Sequence, residues 1–342
     1  MNGNLTAWLT INHICNLNCK WCYQRELSDK SRSMSGQLMF KLIPLFSDLA
    51  VKNVILIGGE PTIHPLFLDA VKLLTNKGMI PKVVSNSLRF SDMSFVKKAK
   101  DAGVNTVVSS VKGFTEEQYE SATGVRAFER TRRAIANLEK SGIKHRISIV
   151  ITASVIREWK SVIEFVKSCD TQDFSFSFEK PCLVGNDIVF KDGILPRQIS
   201  EYIETLIYPT LVKTRVPFKL DLMFPQCQLP ESFLEKLERE GRVFSGCHFL
   251  NHRSVIFDPE GQVLPCNHFA TLPIGKYGVD FSTTGEYYVW RKKYADSQDF
   301  KFVSSAPCER CGSCKRWNKC GAGCRLFWLF KGDKVLLPTV CI

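Results

Sequence analysis

A chain of 342 residues with 44% hydrophobic content is long enough for one large core and a smaller unit, and no apolar run reaches the ~18 residues of a membrane span. Residues 1–5, Met-Asn-Gly-Asn-Leu, lack the basic and apolar stretches of an export signal, so the 14 cysteines are expected as thiols in a reducing, cytoplasmic compartment, not as a disulfide framework. The net charge of +12 is scattered in short groups such as Lys97-Lys98, Arg132-Arg133 and Arg291-Lys292-Lys293, with no basic run interleaved with aromatics, which argues against a nucleic-acid partner.

Strand-like and helix-like patterns alternate through the first half. Strands are expected over residues 5–11, 54–57, 82–84, 106–111, 147–152 and 174–178. Helices are expected over 35–49, 66–76, 93–102, 127–141 and 156–167. Strict alternation predicts an α/β fold with a parallel sheet and helices outside. About six units are fewer than the eight of a closed barrel, so the expectation is a partial (β/α)6 TIM-like barrel over residues 1–185. Pro181 to Pro196, with Gly185 and Gly193, reads as a linker. It opens a bridging region, 186–245, with helix-like stretches at 197–211 and 231–240 and a strand candidate at 219–223. Cysteine becomes dense from Cys247 onward, which marks residues 246–342 as a small C-terminal domain.

Two cysteine patterns carry chemistry. The first is Cys15-x3-Cys19-x2-Cys22, just after the first strand. Three thiolates leave one iron of a cubane cluster free for a small molecule, whereas four would close it. A zinc site or a redox dithiol is the bland alternative, but zinc spacings pair C-x2–4-C with a second knuckle, and none is nearby. Gly58-Gly59-Glu60-Pro61 follows the second strand; glycine permits close approach of backbone to a ligand, and a carboxylate accepts from an ammonium group. On its own that motif is equally a glycine turn. The second cysteine pattern runs Cys247-x13-Gly261-x4-Cys266, a gap, Cys311-x2-Cys314-x5-Cys320-x3-Cys324, a gap, and Cys341. Residues 257–263, Phe-Asp-Pro-Glu-Gly-Gln-Val, read as a β-hairpin that would bring Cys247 and Cys266 together. A zinc-ribbon module is the structural alternative here.

Together these motifs resemble the radical S-adenosylmethionine (radical SAM) superfamily, and the C-terminal set resembles its SPASM extension, a β-hairpin plus helix. The resemblance implies a [4Fe–4S] cluster on Cys15, Cys19 and Cys22, whose open iron S-adenosylmethionine chelates. It implies cofactor contacts from Gly58, Gly59, Glu60 and Pro61, adenine packing by Trp21, a polar ribose contact from Ser85 and Asn86, and a pocket position for Thr152. It further implies two auxiliary [4Fe–4S] clusters, the outer on Cys311, Cys314, Cys320 and Cys341, the inner on Cys247, Cys266 and Cys324. Cys227 and Cys308 are candidates for the inner cluster's fourth ligand, or its iron stays open; burial is the ordinary reading of Cys169 and Cys182. Ten thiolates and three cores of about +2 each would reduce the net charge to about +8.

Such chemistry cleaves the sulfonium reductively and yields a radical that takes hydrogen from unactivated carbon, while the protein supplies orientation and exclusion of side reactions. A proton acceptor is then expected near the mouth: Lys112, Glu179 and Asp221 are the candidates, each with a simple strand-end role as the alternative. His13 is a candidate to tune the cluster by a hydrogen bond. Asn267 stands where sulfatase-maturing members carry an aspartate, which argues against sulfatase maturation. The expected activity is oxidative modification of a C–H bond, crosslinking or dehydrogenation, in a ribosomally made peptide. A one-electron reductant such as flavodoxin or ferredoxin is implied. Because the first strand begins almost at once, a leader-recognition unit would be a separate protein. Dehydrogenation or epimerisation of a small sugar, aminocyclitol or amino-acid-derived metabolite is the alternative; a non-enzymatic, zinc-loaded Cys-rich module is the third.

Overall fold

The computed structural model describes residues 5–27, 29–171, 173–247 and 253–328. Six strands alternate with helices: β1 (Thr6–Thr10), β2 (Asn53–Ile57), β3 (Ile80–Ser85), β4 (Thr106–Val111), β5 (Lys144–Ile151) and β6 (Phe174–Phe178). Each pairs in parallel with the next. The helices between them are α1 (Gly36–Asp48), α2 (Phe67–Asn76), α3 (Met93–Ala102), α4 (Glu116–Thr123), α5 (Phe128–Ser141), α6 (Ala153–Arg157) and α7 (Trp159–Ser168). Local chemistry sets their ends. The Ser35 hydroxyl accepts from the Leu38 amide at the start of α1, Asp92 does the same for Ser94 at α3, and Gly103 ends α3 at φ +104°.

Parallel strands usually have both faces covered and read as continuous apolar runs. Here they alternate instead. Ala7, Leu9, Val54, Leu56, Val83 and Val107 are buried against α1, α2, α3 and α5, while Trp8, Ile55 and Ile57 on the opposite face are half-buried. One face of the sheet is therefore packed under helices and the other is less covered.

The sheet does not stop at residue 185. A hairpin, β7 (Cys182–Val184) and β8 (Asp187–Val189), occupies the stretch expected to be a linker. Its two-residue loop puts Gly185 at φ +59°, the left-handed conformation such tight turns need. The stretch expected as one helix over 197–211 is α8 (Pro196–Tyr202), a π-helical turn (Ile203–Ile207) and α9 (Tyr208–Thr214). Next, β9 (Phe218–Asp221) joins β6 in parallel, α10 (Glu231–Arg239) follows, and β10 (Val243–Phe244) joins β9. On the far side β11 (Ser254–Phe257) pairs in parallel with β1, and β12 (Gln262–Leu264) and β13 (Gly275–Lys276) continue antiparallel. The sheet order is β10-β9-β6-β5-β4-β3-β2-β1-β11-β12-β13. The turn between β11 and β12 is closed by Asp258, whose Oδ1 accepts from the amides of Glu260 (2.9 Å) and Gln262 (2.8 Å), with Gly261 at φ +76°. Among the described residues no helix is long and apolar enough to cross a membrane.

Candidate active site

Every strand-end residue singled out above falls at the C-terminal edge of the parallel strands, where α/β folds gather their chemistry. Cys15, Cys19 and Cys22 lie on the loop after β1. Backbone bonds anchor that loop to α4: Asn18 N–H donates to the Thr123 carbonyl (2.9 Å) and Lys20 N–H to the Ala122 carbonyl (3.0 Å). Cys15 is exposed, Cys22 half-buried and Cys19 buried. Burial pushes the Cys15 thiol up to about 12, and the nearby Glu60, Cys19 and Cys22 push the same way. A Cys15 thiolate held here therefore calls for a compensating positive centre, which is what an iron–sulfur core would provide. Among the described residues no three His, Cys, Asp or Glu side chains converge tightly enough to chelate a single metal ion. The thiolates of a cubane bind different irons and stand farther apart than that.

Gly58 and Gly59 run beneath this loop. A Cβ on Gly58 would stand 2.4 Å from the Asn12 carbonyl oxygen, and one on Gly59 would stand 2.3 Å from that of Ile14. The amides of Gly59 and Glu60 donate to the Asn12 and Ile14 carbonyls, both at 2.8 Å. The close approach made here is to the chain's own cysteine loop. Glu60 turns inward and is fully buried. It accepts from the Thr62 amide (3.1 Å) and hydroxyl (2.6 Å), the Ser85 hydroxyl (2.8 Å) and the Asn86 amide (2.7 Å). Burial raises its carboxyl above the ordinary range, against the pull of those donors. Asn86 then reaches the cysteine loop, with Nδ2 2.7 Å from Asn16 Oδ1 and 3.9 Å from Cys15 Sγ. Pro61 starts a short 3-10 turn (Pro61–Ile63) and is buried. Thr152 is buried and accepts from the Val155 amide (3.2 Å) to cap α6. The Lys112 ammonium lies 6.0 Å from the centre of the Trp21 ring and donates to Ser110. His13 places Nδ1 3.3 Å from the Asp29 carbonyl.

The C-terminal cysteines fall into two groups. Burial pushes Cys266 up to about 11, with Cys247 the next contribution; burial pushes Cys324 up to about 12, with Cys266 next. Cys311, Cys314 and Cys320 form the second group, and each of Cys311 and Cys320 is raised by burial and by the neighbouring thiols. Cys341 lies outside the described residues. Cys227 stands with the second group, because the adjacent Gln226 amide donates to Cys320 Sγ at 3.3 Å and its thiol neighbours are Cys320 and Cys314. Cys308 heads the helical turn Glu309–Gly312 that carries Cys311.

Residues 9–166 match the family model described as Radical SAM superfamily. Over that stretch the chain is similar to the radical SAM superfamily. The likeness implies a [4Fe–4S] cluster with S-adenosylmethionine, and the donor set on the Cys15 loop fits it. The fold of the whole chain is similar to a solved structure described as "Native anSMEcpe with bound AdoMet and Kp18Cys peptide" (19% identity, TM-score 0.70, 97% of this chain and 92% of that one). It is also similar to Streptococcus suis SuiB bound to S-adenosylmethionine (18% identity, TM-score 0.70, 94% of this chain and 73% of that one). Curated relatives include a "Probable GTP 3',8-cyclase" of Metallosphaera sedula, 26% identical over 159 residues, and one of Saccharolobus islandicus, 24% identical over 200 residues. The match spans 50% and 64% of the length of those two proteins and 46% and 58% of this chain.

Around the C-terminal edge of the parallel strands lie further groups that no motif marks. Lys180 follows β6, and its ammonium is 3.0 Å from Asp221 Oδ2. Burial pulls its pKa down, but Asp221, then the Cys324 and Cys266 thiols, leave it above the ordinary value. Tyr23, next to Cys22, packs its ring 5.5 Å from that of His268, two residues beyond Cys266. Buried Arg325 has thiols of both C-terminal groups as charged neighbours. Tyr23 and Arg325 each directly follow a cysteine, but no spacing records that Tyr23 meets His268, that Arg325 meets the second cysteine group, or that Lys180 meets Asp221; the fold does. Glu179 accepts from the amides of Lys191 (3.1 Å) and Asp192 (3.2 Å), and burial pushes it up to about 7. Glu179, Lys180 and Asp221 line one small cleft with Phe178 and Phe224. A larger cavity of about 440 Å³ lies at the opposite end of the strands, lined by Arg146, Asp173, Arg215, Lys219 and Arg242, and takes no part in this site.

Proposed function

We propose that this chain is a radical SAM enzyme that oxidises a C–H bond of a ribosomally made peptide, forming a crosslink or a double bond with the help of two auxiliary clusters. One observation carries the reading. The strand that leads into the three-thiol loop, β1, and the hairpin that leads into Cys266, β11–β12, lie in one sheet through the β1–β11 pairing, and the chain before Cys227 is tied to Cys324 by the Met223 carbonyl. The extent of the fold likeness supports the peptide. It runs over 97% of this chain, well past the radical SAM domain, and the matched protein binds AdoMet and a peptide.

When bound, the cluster and S-adenosylmethionine supply a one-electron reductive cleavage whose carbon radical takes a hydrogen atom from substrate. The remaining oxidation releases one proton and one electron. Glu179, near 7 and so able to accept a proton at neutral pH, and Asp221 are proposed as the acceptors from their shared cleft. Asp221 Oδ1 is buried without a hydrogen-bond partner among the described residues, and Lys180 holds the other oxygen. Lys112 holds positive charge against Trp21 at the cofactor side. Cys247, Cys266 and Cys324, and Cys311, Cys314 and Cys320, would hold the auxiliary clusters that would supply an acceptor for that electron.

The test is anaerobic reconstitution of the full chain, with reductant and short peptides encoded beside its gene. 5′-Deoxyadenosine from the wild type, none from a Cys15/Cys19/Cys22→Ala variant, and a peptide lighter by two hydrogens support the reading. Cleavage without change in any peptide, but with turnover of a small metabolite such as GTP, overturns the substrate assignment. Zinc in place of iron overturns the reading altogether.

A further inference from the structure

One cysteine of the second C-terminal group is remote from the rest in sequence. Cys227 is the middle residue of the single turn Gln226–Gln228. Four contacts dock the chain around it onto residues 316–324. The Cys324 amide donates to the Met223 carbonyl at 2.8 Å. Arg316 reaches Gln226 Oε1 at 3.4 Å. Gly323, at φ +73°, packs so closely that a Cβ there would stand 2.5 Å from the Phe224 carbonyl carbon. The Gln226 amide donates to Cys320 Sγ at 3.3 Å. That last bond places Cys227 beside Cys320. Cys320 and Cys314 are its thiol neighbours, and Cys227 comes ahead of Cys320 and Cys314 among the charged neighbours of Cys311.

We propose that Cys227 is the fourth protein ligand of the cluster held by Cys311, Cys314 and Cys320, the place the family pattern gives to Cys341. The assignment rests on the reading that these cysteines hold an iron–sulfur cluster. Four thiolates close a cubane, so this cluster would have no open iron and would carry electrons without binding substrate. Arg310 and Arg325 face the same thiols and offset their negative charge. Cys247, Cys266 and Cys324 would keep three protein thiolates, so an exchangeable iron, if the enzyme uses one, belongs to that inner group.

Two measurements on the reconstituted full chain test this. Iron per chain is compared among wild type, Cys227→Ala, Cys341→Ala and, as a control thiol away from both groups, Cys169→Ala. About twelve irons are expected in the wild type. Cys227→Ala should lose about one to four of them, the former leaving a three-iron signal in electron paramagnetic resonance, and the other two variants should match wild type. The second measurement needs no variant. Cys227 is exposed, so an unligated thiol there would react with iodoacetamide. It should resist labelling in the iron-loaded protein and label after chelation. Twelve irons in Cys227→Ala, or labelling of Cys227 at full iron load, overturns this assignment and leaves the proposed function standing. A wild type holding only about four irons overturns the auxiliary-cluster part of that function and this assignment with it.

Discussion

Gly58 and Gly59 need to be glycine because the main chain of residues 12–14 occupies the space a side chain would take. Gly59→Ala forces the Ile14 and His13 carbonyls, 2.3 and 2.4 Å from the new methyl, to move, and Cys15 moves with them. The expected result is a loss of about four irons, those of the Cys15 loop, with auxiliary iron retained and about 1–3 kcal/mol of stability lost; iron analysis and urea titration read both. Glu179 makes a pH prediction. Its folded value near 7 stands above the ordinary 4.5, so folding favours the protonated form. That contribution is complete below about pH 4.5 and is lost as pH rises through about 7. Glu179→Gln should therefore flatten the fall in stability between about pH 5 and pH 8 by up to ~3 kcal/mol, seen in urea midpoints at the two pH values. The Cys15 loop, Glu60 and Asn86 were legible in the sequence because each sits within a few residues of a strand end. The Lys180–Asp221 pair, the contact of Tyr23 with His268, that of Arg325 with the second cysteine group and the placement of Cys227 were not, because those partners lie on other elements and no spacing records the contact.

At the scale of elements, β4, β6 and α3 have the bounds their patterns predict. Alternating apolar residues or a capped amphipathic stretch define each one locally. The helix expected over 156–167 is broken at Glu158 into α6 and α7, since Thr152 caps an earlier start. The β7–β8 hairpin escaped notice because two three-residue strands give too short an alternation to separate from a Gly-bearing linker. No local pattern announces that β11 lies beside β1, since parallel partners are joined only by tertiary packing. The turn 321–324 carries its own prediction. Gly323→Ala combines a positive φ with a collision at Phe224, so the 223–228 and 316–324 segments should separate. Auxiliary iron should fall while reductive cleavage of S-adenosylmethionine without substrate persists, the reverse of Gly59→Ala.

For the molecule as a whole, the C-terminal hairpin shares its core with the first strands and helices of the chain. Phe257 on β11 is fully buried, 5.6 Å from the Phe46 ring of α1 and 6.3 Å from Phe281, in one cluster with Ala7, Leu9 and Val54. Phe257→Ala should cost about 3–5 kcal/mol, and loss of cluster absorbance should coincide with loss of far-ultraviolet circular dichroism in one transition. Separate transitions would mean the two parts unfold independently. The β1–β11 ladder also imposes an order on synthesis. At a ribosomal pace of about 5–20 residues per second, β1 waits roughly 12–50 seconds for the chain to reach Ser254, one edge of the strand lacking its partner. An unpaired parallel edge of that kind is slow to complete and prone to join other chains. The nascent protein is thus most vulnerable to aggregation before β11 emerges, and truncation ahead of Ser254 would prolong that interval indefinitely.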